Sequence, residues 1–162
     1  MKNLTKIGLG IGLGIGLVYL KYSTLVLPKS KPELLSIYEK YSSDLVSKYL
    51  LRAIAIVESS ENPLAYNPND PSYGLMQILW NGSNKLYVDG WPPGENGKQL
   101  YDPDYNVMIG SQIINYNVKK YGLFRGIVCY NNWSAKSGII PLKSWNYFFK
   151  VFVTMKRLEG IN

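Results

Sequence analysis

The sequence predicts a mostly α-helical domain, and three observations predict it. Apolar residues recur at helical spacing in several separate stretches. Residues that start and stop helices punctuate those stretches. No stretch alternates apolar and polar residues well enough to mark a strand. At 162 residues the chain fits one domain plus an appendage, and an apolar fraction of 46% supplies a core.

The appendage comes first. Met1–Lys6 carries two lysines, and Ile7–Leu20 is uncharged and almost wholly apolar. That run is shorter than the roughly 20 residues a spanning helix needs. It reaches Leu27 if Lys21 snorkels to the interface. Residues 1–27 therefore read as an N-terminal membrane anchor, a single transmembrane helix over 7–27 in contact with lipid. A cleaved signal segment is the alternative, although no small-residue cleavage site follows. Gly8, Gly12 and Gly16 fall four apart, spacing that permits self-association or packing on a partner helix.

Residues 28–162 read as the folded domain. Pro28–Pro32 is a short basic linker. Pro32 suits a first helical position, and Leu34, Leu35, Tyr38 and Tyr41 carry a helix over 32–42. Ser42, Ser43 and Asp44 offer caps for a second helix over 44–58. Tyr49, Leu50, Ala53, Ile54, Ile56 and Val57 cover most of its circumference, so it is expected to be buried. Prolines 63, 68 and 71 make 59–72 a loop, and Leu75–Asn81 reads as a short helical turn. Residues 81–99 form a long irregular insertion with Tyr87 and Trp91, either a binding lip or a surface excursion. Asp102-Pro103 opens a helix that Gly122 stops. Leu123–Asn131 forms another, and Trp133–Gly138 is a turn. Leu142–Leu158 is the last helix, with an aromatic stripe of Trp145, Phe148, Phe149 and Phe152 expected in the core.

Composition narrows the chemistry. The chain holds no histidine and a single cysteine, Cys129. That excludes Ser-His-Asp and Cys-His catalysis, His-ligated metals and an internal disulfide. No metal and no cofactor is expected. Lys and Arg total 18 against 11 acids, a net charge of +7. The cations are scattered, which argues against a nucleic-acid partner and leaves anionic lipid, an anionic cell wall or ordinary solubilising charge.

Carboxylates, hydroxyls, amides and tyrosines remain. Glu58 stands out, because an apolar helix runs into it and stops. A helix C-terminus disfavours negative charge, and apolar neighbours add a desolvation cost of the same sign. Both push a carboxyl pKa upward, toward what a general acid needs near neutral pH. A solvated glutamate at a frayed helix end is the plainer alternative.

The words around Glu58 decide between these. Glu58-Ser59 with Pro63 and Ala65, then Gly74-Leu75-Met76-Gln77-Ile78, then Tyr130-Asn131, occur in that order. Asp102-Pro103-Asp104-Tyr105-Asn106 lies between the second and third. Together they closely resemble the soluble-lytic-transglycosylase (SLT) domain family, over about Pro32 to Leu158. The resemblance implies a lysozyme-like fold and cleavage of peptidoglycan glycan strands. By position, Glu58 is then the catalytic acid/base. Ser59, Asn67, Gln77, Tyr130 and Asn131 are the implied substrate-binding residues. Gln77 would face the cleft and bond substrate or Glu58, and Tyr130 would bring its hydroxyl near Glu58. Gly74 would allow a tight backbone turn, and Asn131 would brace the loop after it. Asn146-Tyr147 sits where the family tends to place such a pair. Asn132-Trp133 departs from the Ala-Gly that commonly follows Tyr-Asn.

Glu58 is the only acid embedded in such a motif. The family's single-acid lytic transglycosylase reaction, which breaks the MurNAc–GlcNAc β-1,4 bond and leaves 1,6-anhydro-muramic ends, therefore fits. A goose-type-like lysozyme would hydrolyse the same bond with a second acid, Asp70 or Asp89. A non-catalytic wall-binding membrane protein is the other alternative. The expected location is membrane-anchored with the domain outside the cytoplasm, in a bacterial envelope or a phage virion membrane.

Overall fold

The computed structural model describes residues 20–22, 26–29, 31–80 and 97–160. The order of elements follows from where the sequence places its starts and stops. Helix α1 (Pro32–Lys40) begins on a proline at its first position, with Glu33 in its first turn. It buries Leu34 and Tyr38. Helix α2 (Lys48–Ser59) is the buried centre, with Leu50 to Ala55 all withdrawn from solvent. It starts four residues later than the expected 44. Ser47 is the cap that works, accepting from the Leu50 amide, whereas Ser43 closes a local turn onto Val46.

The segment expected to be loop and a helical turn is a small antiparallel sheet. Strands β1 (Tyr66–Asn67), β2 (Ser72–Tyr73) and β3 (Ile78–Leu79) pair in that order. Tyr66 faces Tyr73 and Asn67 faces Ser72, while Tyr73 also faces Ile78. Two-residue strands are too short to show alternation. They form because β2 and β3 lie on either side of the Gly74–Gln77 turn. Most of the 81–99 insertion, including Tyr87, Asp89 and Trp91, lies outside the described residues. Its last part enters a 3-10 turn over Lys98–Tyr101.

Helix α3 (Pro103–Asn131) opens as expected, with the Asp102 carboxylate accepting from the Tyr105 amide. Gly122 breaks it with φ 77° and ψ 166°, a conformation only glycine adopts at low cost. The two halves end and begin where the sequence places them. A 3-10 turn over Trp133–Lys136 leads to α4 (Leu142–Glu159). Helix α2 packs chiefly on α4, with α1 and α3 also against it. The buried side of α4 is Ser144, Tyr147, Val151, Thr154, Met155 and Leu158. Its aromatic stripe is core in part: Phe148 and Phe152 are half-buried and pack against the core, Phe149 is half-buried, and Trp145 is exposed.

Residues 7–19 and 23–25 of the expected anchor, and the glycine spacing proposed for self-association, lie outside the described residues. Leu20–Tyr22 is helical, but Val26–Lys29 is not, so a single unbroken helix does not run to Leu27. Leu27 instead packs against the hydrophobic core. Among the described residues no helix is long and apolar enough to cross a membrane.

One buried ion pair holds the end of α2. Arg52 Nε meets Glu61 Oε1 at 3.0 Å and Arg52 Nη2 meets Glu61 Oε2 at 3.2 Å. Arg52 also donates to the Pro28 carbonyl. Ser60 and Glu61 both have positive φ, 56° and 59°, at a cost on the order of 1 kcal/mol each for residues other than glycine. The pair therefore fixes a strained reversal of the chain directly after Glu58. Glu61→Gln leaves the Arg52 charge buried without its counter-ion and should cost about 3 kcal/mol or more. Urea unfolding would show the lowered midpoint. An unchanged midpoint would mean that the pair does not hold the turn.

Candidate active site

Glu58 is the next-to-last residue of α2 and is half-buried. Burial is the main force on its carboxyl and raises its pKa from the ordinary 4.5 to about 7. Two neighbours act in the opposite direction. The Tyr147 hydroxyl donates to Glu58 Oε1 at 2.6 Å, and the Lys150 ammonium lies near enough to favour the anion. Both come from α4, so the packing of α4 on α2 sets the protonation of the site. Burial exceeds both, which leaves a carboxyl that is part protonated at neutral pH.

Ser59, directly after Glu58, is bonded to the Gly74–Gln77 turn. Gly74 has φ 74°, and a Cβ there would lie 2.2 Å from the Leu100 carbonyl oxygen and 2.4 Å from Asn106 Nδ2. Only glycine fits, as the sequence implied. Leu75 and Met76 are fully buried and support the turn from below. Asn106, also fully buried, clamps it with three bonds. Its amide donates to the carbonyls of Tyr73 and Leu100, and its oxygen accepts from the Met76 amide, all at 2.8 Å.

The expected substrate-binding residues separate by role. Ser59 donates to Leu75 O at 2.7 Å and to Ala55 O at 3.1 Å, and accepts from the Asn62 amide. Its one proton is committed to joining the end of α2 to the turn. Gln77 sits at φ 47°. Its amide donates to the carbonyls of Gly74 and Ala65, so those protons stabilise the turn rather than Glu58. Tyr130 stands close enough to Glu58 for that charge to raise its own pKa, a smaller effect than burial. Its hydroxyl, however, donates to Met76 O at 2.9 Å, not to Glu58. Asn67 lies in β1, half-buried, and accepts from the Asn69 amide in the turn to β2. Asn131 is exposed at the end of α3. Asn132 braces the following loop instead, bonding Ser144 at the start of α4 and accepting from Ser134.

Three other described acids of this region have their own partners. Glu61 is paired with Arg52, Asp102 caps α3, and Asp104 binds Lys40 and Tyr41. Asp70 is exposed between β1 and β2. Among the described residues no group of acids and cysteine is arranged to hold a metal ion.

Residues 36–138 match the family model of the transglycosylase SLT domain, well over half of the chain. The chain belongs to the SLT transglycosylase domain family. Membrane-bound lytic murein transglycosylase E of Buchnera aphidicola subsp. Acyrthosiphon pisum is 35% identical over 78 residues. That alignment covers 47% of this chain and 35% of the relative, so it spans about a third of that protein's length. The 70-kDa soluble lytic transglycosylase of Escherichia coli superposes with a TM-score of 0.66 and 24% identity, over 83% of this chain and 25% of that one. A complex of a 70-kDa soluble lytic transglycosylase with bulgecin A gives 0.64 and 23%, over 78% and 24%. These superpositions establish the fold.

Tyr147 and Asn106 are the residues of this SLT domain that the sequence undervalued. Both lay in words already noticed, the Asn146-Tyr147 pair and the Asp-Pro-x-x-Asn opening of α3. Neither word says which side chain meets the carboxyl. Tyr147→Phe removes a bond that favours the Glu58 anion, so the Glu58 pKa should rise further. The alkaline limb of the pH–rate profile should move to higher pH, with the fold intact by circular dichroism. A limb that stays in place would show that the bond does not tune Glu58.

Proposed function

We propose that this SLT domain is a peptidoglycan lytic transglycosylase that breaks the MurNAc–GlcNAc β-1,4 bond, with Glu58 as sole acid and base. The observation that carries the proposal is Glu58 at the end of α2, bonded by the Tyr147 hydroxyl, with burial pushing its carboxyl up to about 7. In the first step, protonated Glu58 gives its proton to the glycosidic oxygen as the bond to the muramic C1 breaks. The substrate's own N-acetyl oxygen stabilises the cation at C1. In the second step, the Glu58 carboxylate takes the proton of the muramic C6 hydroxyl as O6 closes onto C1. Glu58 is restored, no water is consumed, and the product carries a 1,6-anhydro ring. Such a group must both donate and accept, which favours a pKa near the working pH.

Gly74, Leu75, Met76 and Asn106 shape one wall. Asn67, Gln77, Tyr130 and Asn131 remain the proposed contacts for the sugars, through atoms that the internal bonds leave available. The relative's description as membrane-bound and the apolar run Ile7–Leu20 support anchorage of the domain at a bacterial envelope or virion membrane. Retention of the full-length chain with membranes after carbonate washing tests that part.

Glu58→Gln keeps the shape and removes the proton transfer. Strand cleavage should fall by at least the roughly 10²–10⁴-fold that acid–base catalysis supplies, with glycan binding retained. Mass spectrometry of wild-type products should show anhydro ends. Ends heavier by one water would mean hydrolysis with a second acid. The same substitution has a stability signature. The folded pKa of about 7 lies above the ordinary 4.5, so the folded state disfavours the anion. Wild-type stability should therefore decline as pH rises from about 4.5 to 7, by on the order of 3 kcal/mol, and the Glu58→Gln variant should lack that decline. A variant that cleaves at a near-normal rate overturns the assignment.

A further inference from the structure

Two side chains of α4 act on Glu58, and the proposed reaction accounts for only one of them. The Tyr147 hydroxyl donates to Glu58 Oε1 at 2.6 Å. Lys150 stands one helical turn further along, at the spacing that makes two helical residues neighbours. Side chains on a helix lean toward its N-terminus, so Lys150 leans back over the turn that holds Tyr147. Its ammonium is close enough to Glu58 to favour the anion. It nevertheless forms no salt bridge and no hydrogen bond with any described residue.

An ammonium at this point works against the acid. It pulls down the pKa that burial raises, the wrong direction for a group that must hold a proton near neutral pH. Lys150 is half-buried, and withdrawing part of a cation from water without a partner adds a desolvation cost. Both costs are offset if a negative charge from outside the chain arrives beside it. The flank around Lys150 suits such a charge. Lys143 and Asn146 are its neighbours and those of Tyr147 at helical spacing, and both are exposed. The one acid of α4, Glu159, is paired with Lys156. Glu58 itself is neutral when it donates its proton, so in that form it offers Lys150 no charge.

The two sugars of the strand differ in one group. The muramic sugar bears a lactyl acid on C3, two ring carbons from the C1 that reacts, and N-acetylglucosamine bears none. In strands stripped of peptide that acid is free. In intact strands it is amide-linked to the stem peptide, whose own carboxylates hang from the same arm. Glu58 would meet the oxygens on C1 and C6 of this sugar, so the arm and Glu58 lie within one sugar's span. We propose that Lys150, with Lys143 and Asn146 beside it, binds the carboxylate arm of the muramic sugar and so selects peptidoglycan over neutral β-1,4 glycans. The assignment rests on the transglycosylase reading of Glu58.

The test uses the full-length chain with Glu58→Gln, in which cleavage is suppressed and no carboxyl is left for Lys150 to tune. Calorimetric titration compares three tetrasaccharides: alternating GlcNAc and MurNAc with free lactyl acids, the same strand with stem peptides, and neutral chitotetraose. Lys150→Met in this background should weaken binding of the two anionic strands about fivefold and leave chitotetraose unchanged. Lys150→Arg should retain the binding. Lys156→Met, on another flank of α4, should change none of the three. A loss on one anionic strand alone also supports the proposal and names the acid bound, the lactyl group on the bare strand or a stem carboxylate on the other. An equal loss on chitotetraose overturns it, because Lys150 would then be structural. Unchanged binding of both anionic strands overturns it, and so does an equal loss from Lys156→Met, which would be an effect of net charge. Glycan binding that ignores Lys150 leaves the transglycosylase reading standing. A Glu58→Gln chain that binds none of the three overturns that reading, and this proposal with it.

Discussion

A carboxyl group that keeps its proton near neutral pH must be kept from water on most sides while one side stays open. In this chain that requirement falls on Glu58, and several elements share in meeting it. Helix α2 carries the residue to its end. Helix α4 supplies Tyr147 and Lys150. The Gly74–Gln77 turn and the Tyr130 end of α3's second half are joined by the bond from the Tyr130 hydroxyl to Met76 O. The balance is fine because opposing effects meet at one atom group. Burial favours the neutral form, whereas the hydroxyl and the ammonium favour the anion. Movement of α4 alone would change two of these at once.

The backbone near Glu58 is strained on both sides, and each strained residue has a specific restraint. Ser60 and Glu61 lie at positive φ after α2, and the buried Arg52–Glu61 pair holds them. Gln77 lies at positive φ in the Gly74–Gln77 turn, and its own side chain bonds that turn. Ser59 links the two strained segments through its bond to Leu75 O. Several motif residues thus act on the cleft through geometry. They fix where Glu58 and the turn stand relative to one another. This explains why Ser59 and Gln77 belong to the signature even though their amide or hydroxyl protons are used inside the protein.

Much of this was legible in the sequence, and the failures have identifiable physical causes. The apolar circumference of α2 announced a buried helix, and Gly122 marked the break in α3 because its signal is local. The start of α2 was misplaced because Ser42, Ser43, Asp44 and Ser47 are all competent caps, and only tertiary packing selects Ser47. The three strands were invisible because two residues cannot display a period. The aromatic stripe of α4 was core only in part, since Phe148 and Phe152 pack against the core while Trp145 stays exposed. Hydrophobicity predicts that a side chain leaves water, not that the domain's own core receives it. Within the site, Glu58 was legible because helix-end position and apolar neighbours act through sequence-near residues. Tyr147 stands 89 positions away, and no local pattern reports which distant hydroxyl will reach a carboxyl.

The chemistry of the site depends on burial holding Glu58 as an acid near neutral pH. The most direct measurement is a carbon-13 NMR titration of the full-length chain labelled at glutamate side-chain carboxyls, with the Glu58 resonance assigned by its loss in the Glu58→Gln variant. A midpoint close to 7 is expected. A Glu58 midpoint near 4.5 would contradict it, because the helix end would then be solvated and the carboxyl would have no proton to give.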